Sequence, residues 1–87
     1  MKNADIAKIF RKIGFIIEMN GNDVNATFKA RAYKRTSDVI ASLSTNIEEI
    51  YRKEGLEGLQ KIPSIGKAIA LKIEEYITTG TISTMKS

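Results

Sequence analysis

The chain has 87 residues and a net charge of +4, from fourteen lysines and arginines against ten acids, and it contains neither cysteine nor histidine. That length allows one domain with a single modest core. The two missing residue types exclude disulfides, thiol nucleophiles, Ser-His or Cys-His catalytic pairs and nearly all zinc sites.

Ile6, Ile9, Phe10, Ile13, Ile16 and Ile17 recur at helical spacing and predict a helix over about 4–19. Asn3 suits its N-cap, Asp5 its first turn, and Asn20-Gly21 its stop. Phe15 falls on the opposite side of the apolar stripe and is expected at the surface. Asp5, Lys8, Arg11, Lys12 and Glu18 interrupt the segment, so neither a membrane span nor a signal-peptide core is expected there. "NGNDVN" reads as a loop, with Asn25 or Asp23 capping a second helix over roughly 26–42. Phe28, Ala32, Val39, Ile40 and Leu43 are its apolar positions, and Ser42, Ser44 and Thr45 break it. "TNIEEIYRKEG" predicts a short third helix with acids early, Arg52 and Lys53 late, and Gly55 as terminator, an order that suits the helix dipole. "LEGLQKI" predicts a short fourth helix. The last runs over about 66–79 and stops at Gly80, and a tail over 81–87 is expected to fray. Nothing alternates with period two for long enough to form a sheet. The expected fold is all-α, a compact bundle of about five short helices in one domain.

The positive charge is segregated. Residues 24–37 carry Lys29, Arg31, Lys34 and Arg35 with no acid, and residues 58–73 carry Lys61, Lys67 and Lys72, again with no acid. Those segments hold seven positive charges, so the remainder of the chain sums to −3. Segregation of this kind provides a face for a polyanion. The plainer reading is two solvated helix faces.

Residues 59–73, "LQKIPSIGKAIALKI", hold the only proline of the chain. Pro63 presets the backbone of a tight turn, and Gly66 leaves the main chain uncovered where the next helix begins. Free N–H groups around Ile65, Gly66 and Lys67 would form a phosphate site, favoured by the helix dipole and by Lys67. Leu59 and Ile62 before the turn, with Ile65, Ile69 and Ile73 after it, hold the two helices together. This spacing resembles the helix-hairpin-helix DNA-backbone motif. That motif usually has glycine at the position of Ser64, and a serine there must fit the turn without glycine's freedom.

A wider resemblance covers nearly the whole chain. "NADIAKIF", "FKARAYKRTSDVIASL" and "GLQKIPSIGKAIALKIEEYITTG" are similar, in order and spacing, to the N-terminal lyase-type domain of family X DNA polymerases, the DNA polymerase beta family. The resemblance implies a helical domain that holds the 5′-phosphate side of gapped or nicked DNA without regard to sequence. In some members it also removes a 5′-deoxyribose phosphate by Schiff-base β-elimination. It further implies that this chain is a fragment of a longer polymerase or a stand-alone relative, that its partners are DNA and further polymerase domains but no membrane, and that it does not polymerise DNA alone. The location implied is intracellular, cytoplasm or nucleoid if the source is a prokaryote, and the absence of cysteine fits a reducing compartment.

Residue by residue, the resemblance puts Lys72 where lyase members keep the Schiff-base lysine. Lys29 and Tyr33 take positions that contact the 5′-phosphate and support the pocket, and Lys67 lies at the start of the hairpin's second helix. No cofactor is required. The family's hairpin often binds Na+ or K+ through main-chain carbonyls, which map here to Gln60, Ile62 and Ile65. Arg31, Lys34, Arg35 and Lys61 are expected as general backbone contacts, giving salt-sensitive binding. Phe28 stands where some relatives have histidine, and it either stacks on a template base or packs in the core. Leu71 replaces an acid found in some lyase-competent relatives.

A lysine attacks an aldehyde only as the neutral amine, about one molecule in a few thousand at pH 7 for an ordinary lysine; burial or neighbouring cations raise that fraction. Lys72 lies only about 20° from Ile65 on the helical wheel, at the edge of the apolar stripe. Two readings stand: a nucleophile, or a lysine laying its stem along the core with its ammonium in water. For the elimination step Tyr33, Glu75 or a water are candidate bases. Lys29 and Tyr33, four apart, share one helical face and form either a phosphate clamp or an exposed lysine beside a half-buried tyrosine. The alternative function is a non-catalytic helical module binding an acidic protein partner.

Overall fold

Four helices build the domain in the computed structural model, which describes residues 3–21 and 24–82. They are α1 (Asn3–Asn20), α2 (Val24–Ser42), α3 (Ile47–Gln60) and α4 (Lys67–Thr79). There are four where five were expected because the two short helical stretches expected on either side of Gly55 follow each other with no loop between them. Gly55 itself takes φ 66° and ψ −154°, a non-helical conformation that kinks α3 where the sequence placed a terminator. Glycine meets that conformation at little steric cost.

α1 and α2 pack against each other as a helical hairpin, and α3 packs on α4. Ile6, Phe10 and Ile13 of α1 meet Ile40 of α2, Ile47 and Leu59 of α3, Ile62 and Ile65 of the α3–α4 turn, and Ala70 and Ile73 of α4 in one core. Each such isoleucine, leucine or phenylalanine contributes about 1.5–3 kcal/mol by leaving water. Phe10 stacks on Tyr33 with ring centroids 5.8 Å apart, and the Ser37 hydroxyl donates to the Ala7 carbonyl at 2.6 Å. The Cα radius of gyration, 12.3 Å, is close to the value of about 12 Å expected for a folded chain of this length.

Three terminal details differ from the sequence expectations. Asn3 is not a cap but the first residue of α1, and its amide clasps the α2–α3 connection. Its Nδ2 donates to the Thr45 carbonyl at 2.9 Å and its Oδ1 accepts from the Ile47 N–H at 2.7 Å. Asn46 caps α3 by accepting from the Glu48 N–H at 2.9 Å. Asn25 lies inside the first turn of α2, and Asp23, the other expected cap, lies outside the described residues. Ile82, expected in a fraying tail, is 1% exposed and belongs to the core, while residues 83–87 lie outside the described residues. Gly80 ends α4 as expected, donating its N–H to the Tyr76 carbonyl at 2.8 Å.

The Tyr51 hydroxyl donates to Glu74 Oε2 at 2.6 Å and ties α3 to α4. That hydrogen bond, with some burial and the carboxylate's charge, raises the Tyr51 pKa above its ordinary value. None of the described helices is long and apolar enough to cross a membrane.

Candidate nucleic-acid interface

The turn between α3 and α4 has the expected construction, with Leu59, Ile62, Ile65 and Ile73 buried and Pro63 and Ser64 exposed. Ser64 adopts φ 71°, a left-handed conformation that glycine enters more easily. The hairpin therefore keeps its shape at the expense of local strain in Ser64. The phosphate site expected at the helix start is narrower than the sequence suggested. The Ile65 N–H is engaged within the turn, donating to the Ile62 carbonyl at 3.1 Å. Gly66 is the N-cap of α4, and no side chain caps that helix. A Cβ placed on Gly66 would meet nothing within 4 Å, so the backbone there is open to a ligand. Lys67, the first residue of α4, is exposed beside it.

A groove of about 950 Å³ runs between the turn end of the α1–α2 hairpin and the first half of α4. Lys29 and Tyr33 line it from α2 and Lys72 lines it from α4. Residues 43 positions apart in sequence thus line one groove from two different helices. Tyr33 is half-buried, and burial raises its pKa. Lys72 is partly buried and also lines a second groove of about 680 Å³, shared with Leu71, Glu74 and Glu75, so it stands on the ridge between the two. Lys67 is not among the residues lining the first groove.

Asn20 and Asn25 also line the groove, where the sequence had suggested only a stop and a cap. Asn20 Nδ2 donates to the Ile16 carbonyl at 3.0 Å, which ties the side chain back to its own helix. The available signal was the small residues Gly21, Ala26, Ala32 and Ala68, which line the same groove and leave it wide. Gly21 is forced: a Cβ there would lie 2.0 Å from the Ala26 Cβ.

The remaining cations divide. Arg31 and Arg35 are exposed on α2. Lys34 pairs with Glu18 at 3.0 Å and lies 4.3 Å from the centre of the Phe15 ring, so part of the α2 charge is answered by α1. Lys61 pairs with Glu54 at 3.1 Å. Exposed pairs of this kind are worth about 0–1 kcal/mol, weak enough for a phosphate to displace the carboxylate. Phe28 is 63% exposed, which removes it from the core. Among the described residues no group of three or more acids is placed to hold a metal ion.

A family model described as a helix-hairpin-helix domain matches residues 1–82. The chain belongs to that family. Helix-hairpin-helix domains generally bind DNA, which accords with the hairpin, the open helix start and the segregated positive charge. A search of curated proteins finds no match to the chain.

Proposed function

We propose that this helix-hairpin-helix domain holds the 5′-phosphate end of a gap or nick in DNA, with the terminal nucleotide in the groove between the α1–α2 turn and α4. The observation that carries the reading is the convergence of Lys29 and Tyr33 of α2 with Lys72 of α4 on one groove. Two ammonium groups and a phenol lining one groove suit a phosphate, and the half-buried ring limits how far water can screen the contact. Arg31, Arg35 and Lys67 bind the flanking backbone, which gives affinity without sequence preference. Phe28, exposed beside Lys29, stacks on a base of the opposite strand. Resemblance to the lyase-type domain of family X polymerases supports the same reading and makes polymerase domains natural partners. The hairpin carbonyls of Gln60, Ile62 and Ile65 fit Na+ or K+, which take oxygen ligands. The Ile62 oxygen accepts one hydrogen bond and keeps a second lone pair for such an ion.

A second reading rests on the partial burial of Lys72 at the groove wall. In it, the Lys72 amine adds to the C1′ aldehyde of an abasic 5′-deoxyribose phosphate and loses water to give an imine. A base removes the C2′ proton, and the C3′–O bond breaks to free the DNA strand with its own 5′-phosphate.

Two experiments in sequence test the two readings. Gapped DNA with and without the 5′-phosphate is titrated against the parent and a Lys29→Ala/Lys72→Ala variant. The parent is expected to prefer the phosphorylated end by about tenfold or more, and the variant to lose that preference while still binding duplex. Equal affinity of the parent for both ends would reject the phosphate pocket. Borohydride trapping on an abasic 5′ end then tests the second reading. An adduct that disappears in Lys72→Ala supports it, and no adduct on DNA shown to be bound leaves Lys72 as a contact.

A further inference from the structure

Glu54 precedes the kink of α3, and its Oε1 meets the Lys61 ammonium at 3.1 Å. The two residues are seven apart, which in a straight helix separates them by about 10 Å along the axis. Two glycines shape the path between them. Gly55, the next residue, takes φ 66° and ψ −154° and kinks the helix. Gly58 is buried and has no side chain where Glu54 crosses it. A Cβ there would lie 2.4 Å from the Glu54 Cβ and 3.4 Å from its Cγ and Cδ. The Glu54 side chain therefore lies over Gly58 on its way to Lys61, and a larger residue at 58 would displace it. The Arg52–Glu48 and Lys53–Glu49 pairs of the same helix need only the ordinary spacing of four. The Glu54–Lys61 pair needs this particular backbone.

Lys61 belongs to the hairpin. It is the C-cap of α3, it adjoins Ile62 and Pro63 of the turn, and residues 58–73 contain no acid. Glu54 thus brings a negative charge to a segment that has none of its own. We infer that the Glu54 carboxylate stands in for a DNA phosphate on Lys61, an autoinhibitory contact that the backbone displaces when the hairpin grips it, and this rests on the reading of the hairpin as a backbone contact but not on the phosphate pocket. A carboxylate oxygen and a phosphate oxygen accept the same charge-assisted hydrogen bond from an ammonium group, so the two compete for one donor. Both partners are exposed, and water and salt weaken the pair enough for the exchange. Once exchanged, the freed carboxylate stays near the bound phosphate and repels it. Lys67, beyond the turn, is exposed and makes no ion pair among the described residues. The hairpin therefore meets DNA with Lys67 ready and Lys61 held, and its grip on duplex backbone is lower than its lysines alone would give.

The test measures binding to a continuous duplex at low salt, where backbone contacts are strongest. Glu54→Gln keeps the shape of the side chain and removes its charge, and circular dichroism checks the helices. It is expected to raise affinity about two- to fivefold, the range open to an exposed ion pair. Lys61→Met keeps an unbranched apolar stem without the charge. In that background Glu54→Gln is expected to change affinity by less than about 1.5-fold, because the two residues act as one pair. Unchanged affinity for Glu54→Gln in the parent overturns the autoinhibitory contact. An equal gain in the Lys61→Met background overturns it too, since the carboxylate would then repel DNA without acting through Lys61. The same gain is expected on gapped DNA with and without a 5′-phosphate, and a gain confined to the phosphorylated end would also overturn it. A parent without any phosphate preference that still shows the Lys61-dependent gain would reject the phosphate pocket and leave the contact standing. A parent that binds no duplex overturns both.

Discussion

α3 and α2 both carry exposed cations, yet they use them in opposite ways. On α3, Arg52 meets Glu48 at 3.6 Å and Lys53 meets Glu49 at 3.0 Å, each one turn away, and Lys61 just beyond meets Glu54 at 3.1 Å. On α2, Lys29, Arg31 and Arg35 make no ion pair among the described residues: the helix's one acid, Asp38, pairs with Arg11 of α1 at 2.9 Å, and Lys34 pairs with Glu18 of α1. The first arrangement is a self-neutralised surface, worth a few tenths of a kcal/mol per pair. The second leaves charge uncompensated at some cost in self-repulsion. A helix with like charges unanswered beside a groove is suited to an outside anion, as the proposed function requires.

Substitution separates the two sets directly. Lys29→Ala/Arg31→Ala/Arg35→Ala is expected to weaken DNA binding by about a hundredfold and to reduce the slope of log affinity against log salt by about 2.7, near 0.9 for each phosphate contact removed. Arg52→Ala/Lys53→Ala removes nearly as much formal charge and should change the slope by little. Titrations at four or five salt concentrations distinguish the cases. An equal change of slope per charge removed in the two variants would mean that net charge, not its placement, governs binding, and the contrast between α2 and α3 would then carry no functional meaning.

The groove itself can be broken without touching a charge. Gly21 sits where α1 ends, and a Cβ there would lie 2.0 Å from the Ala26 Cβ and 2.9 Å from the Ile17 carbonyl oxygen. Both neighbours belong to helices, so relief requires one helix end to move. Gly21→Ala is expected to cost about 2 kcal/mol in urea unfolding and to widen or skew the groove end. The preference for a 5′-phosphate should fall with it, whereas binding to continuous duplex through Arg31 and Arg35 should persist. Unchanged stability would show that the turn accommodates the methyl group freely.

How much of this was legible follows from what periodicity can carry. The α1 stripe of Ile6, Phe10 and Ile13 and the turn of Ile62, Pro63 and Ile65 announce themselves, because burial at helical spacing is a local signal. Gly55 was readable as a break, and the backbone does leave helical geometry there; what sequence could not show is that the next helical stretch follows at once, across a kink and not a loop. Ile82 was missed because one isoleucine among threonines and serines has no period, yet the chain beyond Gly80 returns it to the core. The Lys34–Glu18 pair, 16 residues apart, depends on how two helices cross, and no spacing rule reaches it. Lys29 and Tyr33 were placed on one face by their separation of four, but their meeting with Lys72 is tertiary. Asn20 was read correctly as a helix stop, Asn25 as a cap where the structure puts it inside the first turn of α2, and neither as a groove residue, because polar side chains near a turn suit both roles.

Ser64 offers the smallest and sharpest contrast, within the hairpin itself. Gly66, two residues on, has an extended backbone at φ −91°, which any residue adopts, and glycine there serves openness. Ser64, at φ 71°, occupies the strained position with a side chain that makes no hydrogen bond among the described residues. The left-handed conformation costs an L-residue about 1–2 kcal/mol, and the extra unfolded-state entropy of glycine returns roughly half of that. Ser64→Gly is therefore expected to stabilise the domain by about 0.5 kcal/mol, raising Tm by about 2–4 °C at this size. The Thr36 hydroxyl, 3.4 Å from the Ser64 carbonyl, reaches the main chain and would not be lost with the side chain. A fall in Tm would show that the serine hydroxyl holds the turn in solution, and glycine's freedom would then be a liability at the one place where the motif ordinarily uses it.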